Sequence, residues 1–222
     1  MAKHIGIVAC SAEGAALCYR TIAVEGARWM GEHDHPEVSM HNHSLAEYMK
    51  PIYRDDWAAV GELMLSSANK LANIGADFLI CPDNTIHEAM PYVKDRSPLP
   101  WLHIADVVLA EGRRRGFKKI ALTGTRYLVN SSVYPAELVR PTTEEKDEIN
   151  RIIFEELVCS QFKPEAVAYF QRVIDSFQRQ GCDAVILGCT EIPLIINDAN
   201  SPLPTLDSTR LLARAALQHA LA

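Results

Sequence analysis

Two short polar turns carry the residue types best suited to proton chemistry. Residues 83–85 read Asp-Asn-Thr, and residues 188–191 read Gly-Cys-Thr-Glu. The Cys189 thiol and the Asp83 carboxyl can each take up and release a proton. The neighbouring hydroxyls and the first backbone N–H groups of a following helix can hold a substrate carboxylate. Together the two turns supply a pair of candidate acid/base groups.

The surrounding sequence predicts the elements that must position these turns. Short apolar runs rich in β-branched residues alternate with amphipathic segments, a pattern typical of parallel sheets covered by helices. Amphipathic helices are predicted at 56–74 and 164–180, ended by Gly75 and Gly181, and at 142–157. Strands are predicted at residues 5–9, 38–41, 78–81, 102–104, 119–123 and 184–187.

Two segments of the chain are similar in sequence when the chain is aligned with itself at an offset of about 106 residues. Residues 75–86 then lie over residues 181–192, with Gly, Asp and two Ile positions in common, and Asp83 lies over Cys189. An internal duplication and convergence of two βα units both explain this similarity. The predicted fold class is α/β, with two pseudo-symmetric lobes, each a short parallel sheet flanked by helices. Residues 1–100, completed by a C-terminal helix at 208–222, form the first lobe, and residues 101–207 form the second.

Ligands of parallel α/β sheets collect at the carboxyl ends of the strands. Two facing lobes would therefore place both polar turns on opposite walls of one cleft, as a two-base reaction requires.

Composition excludes several other classes of function. The 222 residues carry a formal net charge of −6, and the basic run at 113–115 is too short for a nucleic-acid partner. The N-terminal segment is too short for a signal peptide, and no apolar stretch is long enough to cross a membrane. The expected location is the cytoplasm, with the six cysteines reduced. They contain no CxxC pair, which disfavours structural zinc.

Both turns also contain family motifs. Residues 188–194 read GCTEIPL and residues 84–87 read NTIH, with further similarity at 12–15, 19–22, 124–126 and 152–157. In these segments the chain resembles the aspartate/glutamate racemase family, part of the Asp/Glu/hydantoin racemase superfamily. The resemblance implies a homodimeric amino-acid racemase that works without pyridoxal phosphate or another cofactor. It also implies that one thiol removes the α-proton while a second thiol delivers a proton to the opposite face.

The chain departs from this pattern at the first turn. The family's first cysteine immediately precedes the Asn-Thr pair, where this sequence has Asp83, whereas Cys189 is intact. Cys81 lies two residues upstream, and it would share a face with Asp83 only if the chain stays extended across Pro82. We therefore assign Cys189 and Asp83 as the catalytic residues, with Cys81 as the alternative first base.

The predicted substrate contacts lie in the loops that follow the strands. Ser11 is in the first βα loop, Thr125 is in the corresponding loop of the second lobe, and Asn42 ends the second strand. Lys163 stands where the resemblance implies a carboxylate-binding cation. The full predicted set is Ser11, Asn42, Asn84, Thr85, Thr125, Lys163, Thr190 and Glu191.

Histidines suggest two further roles. His87 could relay protons to Asp83 or Cys189, or lie on a helix surface. The other close set is His33, His35, His41 and His43, but no cysteine or carboxylate completes a persuasive ligand set, so no metal is predicted. The first βα loop also lacks a glycine-rich phosphate motif, which disfavours nucleotides.

The leading hypothesis is therefore racemisation of aspartate, glutamate or a similar small carboxylate. A one-cysteine decarboxylase or isomerase of the same superfamily is the first alternative. A relative that binds an amino acid without turnover is the second.

Overall fold

The computed structural model describes residues 2–222, which divide into two compact units. One unit runs as far as Val107 and also contains Thr209–Ala222, and the other is Val108–Ser208.

The first unit is built on a four-stranded parallel sheet. Its strands are β1 (Ile5–Ala9), β2 (Val38–Asn42), β3 (Phe78–Ile80) and β4 (Trp101–Leu102), in the order β2-β1-β3-β4. All five residues of β1 are buried, as expected for a central strand with both faces covered. Because Ile7 pairs with both Met40 and Ile80, the carboxyl ends of β1, β2 and β3 lie at one edge.

Helices connect these strands. They are α1 (Ala12–Met30), α2 (Leu45–Ile52), α3 (Trp57–Asn73), a 3₁₀ helix (Thr85–Ala89) and α4 (Met90–Val93). The Asp56 side chain caps α3 at the Ala59 N–H, and the chain leaves the helix through Gly75 at φ +91°. Two helices bridge the unit boundary, α5 (Ile104–Arg114) and α9 (Ser208–Leu221).

The second unit contains a three-stranded parallel sheet. Its strands are β5 (Ile120–Thr123), β6 (Ala184–Leu187) and β7 (Thr205–Asp207), with β6 in the centre. The helical segments are α6 (Arg126–Val129), α7 (Thr143–Ile152), a π-helix (Ile153–Leu157), α8 (Pro164–Arg179) and a 3₁₀ helix (Ile192–Leu194). The apolar face of α8 packs into the core through Phe170, Ile174 and Phe177. Truncating one of these phenylalanines to Ala should cost about 3–5 kcal/mol.

The predicted fold class is confirmed, since both sheets are parallel and helices flank them. The bounds of the strand predicted at 102–104 are wrong, because β4 is Trp101–Leu102 and α5 already begins at Ile104. The sequence analysis missed β7, which has three residues and is too short to show a period. The helix predicted over 142–157 is α7 continued by the π-helix.

Candidate active site

The turn after β6 is shaped by a glycine. A Cβ at position 188 would lie 2.5 Å from the Thr123 carbonyl oxygen and 2.6 Å from Leu128 Cδ2, closer than real Cβ atoms approach. The Gly188 N–H donates to that same Thr123 oxygen at 3.0 Å. The glycine therefore allows the loops after β5 and β6 to contact each other. This contact fixes the backbone position just before Cys189.

Cys189 faces a buried carboxylate. Its Sγ donates a hydrogen bond to Glu191 Oε2 at 2.9 Å, and Thr190 Oγ1 donates to the same oxygen at 2.6 Å. Glu191 and Thr190 are only 3% and 2% exposed, whereas Cys189 is partly exposed. A reachable thiol thus sits beside a carboxylate that can accept its proton.

Two further features describe the second turn. The helix after it is a 3₁₀ segment of three residues rather than an α-helix, so a helix dipole contributes little at Cys189. In addition, the close partner of the thiol is Glu191, not a cation. Glu191, a predicted substrate contact, thus accepts hydrogen bonds from Cys189 and Thr190.

The turn after β3 presents Asp83 differently. Asp83 is partly exposed, and its Oδ1 accepts the backbone N–H of Thr85 at 3.1 Å. That N–H is therefore engaged by Asp83, although it was expected to hold a substrate carboxylate. Asn84 is buried, and Thr85 opens a five-residue 3₁₀ helix.

Cys81 lies next to this turn but is fully buried. Its Sγ is 3.8 Å from the Asp83 carbonyl oxygen. Burial, with the nearby Asp83 charge, raises the pKa of the Cys81 thiol well above its ordinary value. A buried thiol with a raised pKa stays protonated near neutral pH, so little of it is available as a base.

His87 does not lie on a helix surface. Its ring is fully buried, and its Nε2 donates to the Cys81 carbonyl oxygen at 3.0 Å. Burial is the main cause that lowers the pKa of His87, to about 3. The helix-surface expectation is therefore wrong, and the proton-relay role stays a prediction.

Ser11 and Thr125 begin helices in their own units. Ser11 Oγ accepts the Gly14 N–H at 3.4 Å and caps α1, and Thr125 Oγ1 accepts the Leu128 N–H at 3.2 Å and caps α6. Both are buried at the carboxyl edges of their sheets. Asn42 ends β2 and is exposed.

Lys163 already has an acidic partner. The ammonium lies 3.5 Å from Glu156 Oε1, and the same oxygen accepts from Arg151 at 2.9 Å. Glu156 is buried in the π-helix, whereas the Lys163 side chain is half exposed. A substrate carboxylate at Lys163 would compete with Glu156.

The histidines near β2 form a hydrogen-bonded network. His41 Nδ1 bonds Ser67 Oγ at 2.9 Å and His41 Nε2 bonds Lys70 Nζ at 2.9 Å, so protein groups engage both ring nitrogens. Burial and then the Lys70 charge lower the pKa of His41. Within residues 2–222, no three His, Cys, Asp or Glu side chains cluster as metal ligands would.

Ser208 is a site residue that the sequence analysis missed. Its buried hydroxyl follows β7 and donates to the Leu187 carbonyl oxygen at 2.8 Å, two residues before Cys189. Recognising the strand β7 in the sequence would have placed Ser208 at the end of a strand and so at the edge of the sheet.

In the part of the chain that the structure describes, no helix is long and apolar enough to cross a bilayer.

Comparisons with known proteins show which family the chain resembles over most of its length. The profile of the family described as Asp/Glu/Hydantoin racemase matches residues 6–216. Broad specificity amino-acid racemase RacX of Bacillus subtilis is 24% identical over 195 residues, which cover 85% of this chain and 84% of RacX.

Solved structures extend the likeness to the fold. A proposed Asp/Glu racemase from Yersinia pestis superposes with a TM-score of 0.90 at 28% identity, covering 99% of this chain and 100% of the other. An aspartate racemase homologue from Pyrococcus horikoshii OT3 gives 0.85 at 27% identity, covering 100% of both chains.

The fold and these similarities define an isomerase of the amino-acid racemase class that does not depend on pyridoxal phosphate. Within that class, the chain belongs to the Asp/Glu/hydantoin racemase family.

Proposed function

We propose that this chain racemises aspartate, glutamate or a similar small carboxylate amino acid, with Cys189 as a thiol acid/base. One observation carries the proposal: the partly exposed Cys189 Sγ donates to the buried Glu191 carboxylate at 2.9 Å. A thiol is reactive as a base only after it loses its proton. Glu191 supplies an acceptor for that proton inside the protein.

The proposed reaction balances through three groups. Glu191 accepts the thiol proton and leaves Sγ as a thiolate. The thiolate then takes the α-proton, and the electron pair stays on the α-carbon. Asp83, in its protonated form, returns a proton to the other face of that carbon and becomes a carboxylate. In the reverse direction Asp83 removes the proton and Cys189 delivers it, and proton exchange with water resets the groups between turnovers.

Two observations support Asp83 as the second acid/base residue. It occupies the position equivalent to Cys189 when the chain is shifted by about 106 residues. It is also partly exposed, whereas the alternative, Cys81, is fully buried. An ordinary Asp has a pKa of about 4, so it is a weaker base than a thiolate. The proposal therefore predicts a slower proton abstraction by Asp83 than by Cys189.

Substrate contacts are proposed around these groups. Ser11, Asn42, Asn84, Thr85, Thr125 and Thr190 supply hydroxyl, amide and backbone groups for the α-carboxylate and α-amine. Lys163 supplies the cation for the second carboxylate of an acidic substrate, in exchange for its contact with Glu156. Because of this competition, a second carboxylate on the substrate would add little to binding. Amino acids with and without a second carboxylate should therefore be tested as substrates.

Solvent deuterium exchange tests the function directly. The protein is incubated in D₂O with separate L- and D-amino acids, including aspartate and glutamate, and both deuterium at the α-carbon and enantiomer ratio are measured. Exchange with inversion is the expected result. Exchange with retention would instead identify one-sided proton transfer, which the Asp at the first position makes the second candidate. No exchange with any amino acid in the panel would contradict the proposal.

Assembly and location are also proposals. The family resemblance suggests a homodimer, and the cytoplasm stays the proposed location. Size-exclusion chromatography with light scattering should give about twice the 24.7 kDa chain mass. A monomer mass at micromolar concentration would overturn the dimer.

A further inference from the structure

Side-chain donors hold one particular carbonyl in each turn. In the first unit, His87 Nε2 donates to the Cys81 oxygen at 3.0 Å. In the second unit, Ser208 Oγ donates to the Leu187 oxygen at 2.8 Å. Each carbonyl belongs to the residue two places before the proposed acid/base residue, Asp83 or Cys189. The same shift of about 106 residues sets Cys81 over Leu187, so the two contacts are equivalent in sequence.

His87 holds the first turn on both sides of Asp83. Its side chain binds the carbonyl of Cys81, and its backbone N–H donates to the carbonyl of Asn84 at 3.2 Å. Pro82 has no N–H to donate and has a fixed φ. One residue therefore ties together the two ends of the segment that carries the reacting carboxylate.

His87 is built to stay neutral. A carbonyl oxygen can only accept, so Nε2 carries the proton and Nδ1 keeps its lone pair. Nδ1 is buried without a hydrogen-bond partner, and the ring packs edge-on against His103 with centroids 4.5 Å apart. Burial is the main cause that lowers the pKa of His87, to about 3, so the ring is a fixed donor at neutral pH.

In the second turn, the hydrogen-bond donor to the carbonyl comes from a different part of the chain. The residue that corresponds to His87 is Pro193, which has neither an N–H nor a side-chain donor. Ser208 supplies the missing contact from the end of β7, and its side chain is completely buried. The same backbone atom is thus held in both units by unrelated side chains.

We propose that His87 and Ser208 are positioning residues, each of which fixes the direction of a reacting side chain by binding the carbonyl two residues before it. The assignment to catalysis rests on the proposed function of Asp83 and Cys189. The contacts themselves do not.

Variants of His87 separate positioning from proton relay. Gln places an amide nitrogen as many bonds from Cβ as Nε2 is in His, but it cannot titrate, and Leu and Asn cannot reach the carbonyl with a donor. We expect His87→Leu and His87→Asn to lower kcat by about tenfold or more, whereas KM changes by less than about threefold and the limbs of the pH profile stay in place. His87→Gln should recover most of the rate.

The matched control is His35→Leu, because His35 Nδ1 also lies 2.8 Å from a carbonyl oxygen, that of Pro36. It should keep the wild-type rate. If a folded His87→Gln variant is as slow as His87→Leu, or if both match wild type, positioning by hydrogen bond is wrong.

Ser208 is tested in the same way. Ser208→Ala should lower kcat with little change in KM, and Ser208→Thr, which keeps the hydroxyl, should recover part of it. Ser176→Ala is the control, since Ser176 Oγ donates to the Val173 carbonyl at 2.7 Å within α8. Equal rates for Ser208→Ala and Ser176→Ala would overturn the role of Ser208.

One readout needs no activity. The Thr85 amide donates to Asp83 Oδ1, so its hydrogen exchange reports whether the turn is held. His87→Leu should speed this exchange by about tenfold or more, while His87→Gln and His35→Leu should not. Unchanged exchange at Thr85 would contradict the positioning role. If exchange changes as expected but wild type has no racemase activity, the proposed function fails and the positioning contact stands.

Discussion

The turns that carry Asp83 and Cys189 share a backbone arrangement but differ in the chemical groups that they present. Both follow a buried parallel strand, both enter a short 3₁₀ helix, and both have a carbonyl held by a side-chain donor. The first turn presents a carboxylate that accepts a backbone amide, and the second presents a thiol that donates to a carboxylate. Each turn therefore contains one carboxylate, but only in the second does that carboxylate serve a neighbouring acid. The comparison shows that the reacting group differs between the units, while a side-chain donor holds the carbonyl two residues before it in both.

The largest effect is expected at the thiol. Cys189→Ala should lower exchange and inversion by about 10³-fold or more from either enantiomer, because it removes the group that exchanges a proton with the α-carbon. Cys159→Ala is the control, since Cys159 is an exposed cysteine of the same unit. Comparable rates for the two variants would remove the thiol from the mechanism.

A smaller loss is expected at Glu191. Glu191→Gln keeps the shape but removes the proton acceptor, so kcat should fall by about 10- to 100-fold. Iodoacetamide labelling of Cys189 in the resting protein should not slow in parallel, because Glu191 acts as a base during turnover and its negative charge disfavours a resting thiolate. Slower labelling in the variant would show that Glu191 stabilises a resting thiolate instead of accepting the thiol proton only during turnover.

The glycine of the second turn should matter for stability. Gly188→Ala places a Cβ against the Thr123 carbonyl and Leu128, so the free energy of unfolding should fall by about 1–3 kcal/mol. Gly116→Ala, at φ +81° with open space around the site, should cost about 1 kcal/mol from backbone strain alone. Urea denaturation compares them, and an equal loss would show that the two loops can separate freely.

The smallest effect concerns acid stability of the first turn. Folded His87 has a pKa of about 3, and an unfolded His has a pKa of about 6.5, so below pH 6.5 only the unfolded state takes up this proton. Stability is therefore complete above pH 6.5 and is lost progressively toward pH 3. Between pH 7 and pH 5, wild type should lose about 2 kcal/mol more than His87→Gln. Denaturant unfolding at both pH values measures the difference, and parallel losses would contradict a buried neutral ring.

The sequence predicted the fold where the signal was local. Strands β1 and β6 have their predicted bounds, and helices α3 and α8 lie within one residue of theirs, because apolar runs and terminal glycines mark them. The strand β7 was not predicted because three residues are too few to show an alternation of apolar and polar side chains. Ser208, which follows this strand, was missed for the same reason.

The chemistry of the site was less accessible from sequence. The motif located Cys189 and its neighbours, but it could not show that Glu191 turns its carboxylate toward the thiol. The burial of His87 depends on tertiary packing against His103, which spacing along the chain does not reveal.

The most direct test of the central claim is the pair Asp83→Ala and Asp83→Cys, assayed by deuterium incorporation and enantiomer ratio in D₂O. If Asp83 is the second acid/base residue, Asp83→Ala should lose inversion while its unfolding free energy stays near that of wild type. Asp83→Cys should raise racemisation of aspartate or glutamate above wild type, since two thiols suit an α-proton near neutral pH better than one thiol and one carboxylate. Full racemase activity in Asp83→Ala, together with its loss in Cys81→Ala, would show that the first turn acts through Cys81 and would contradict the account.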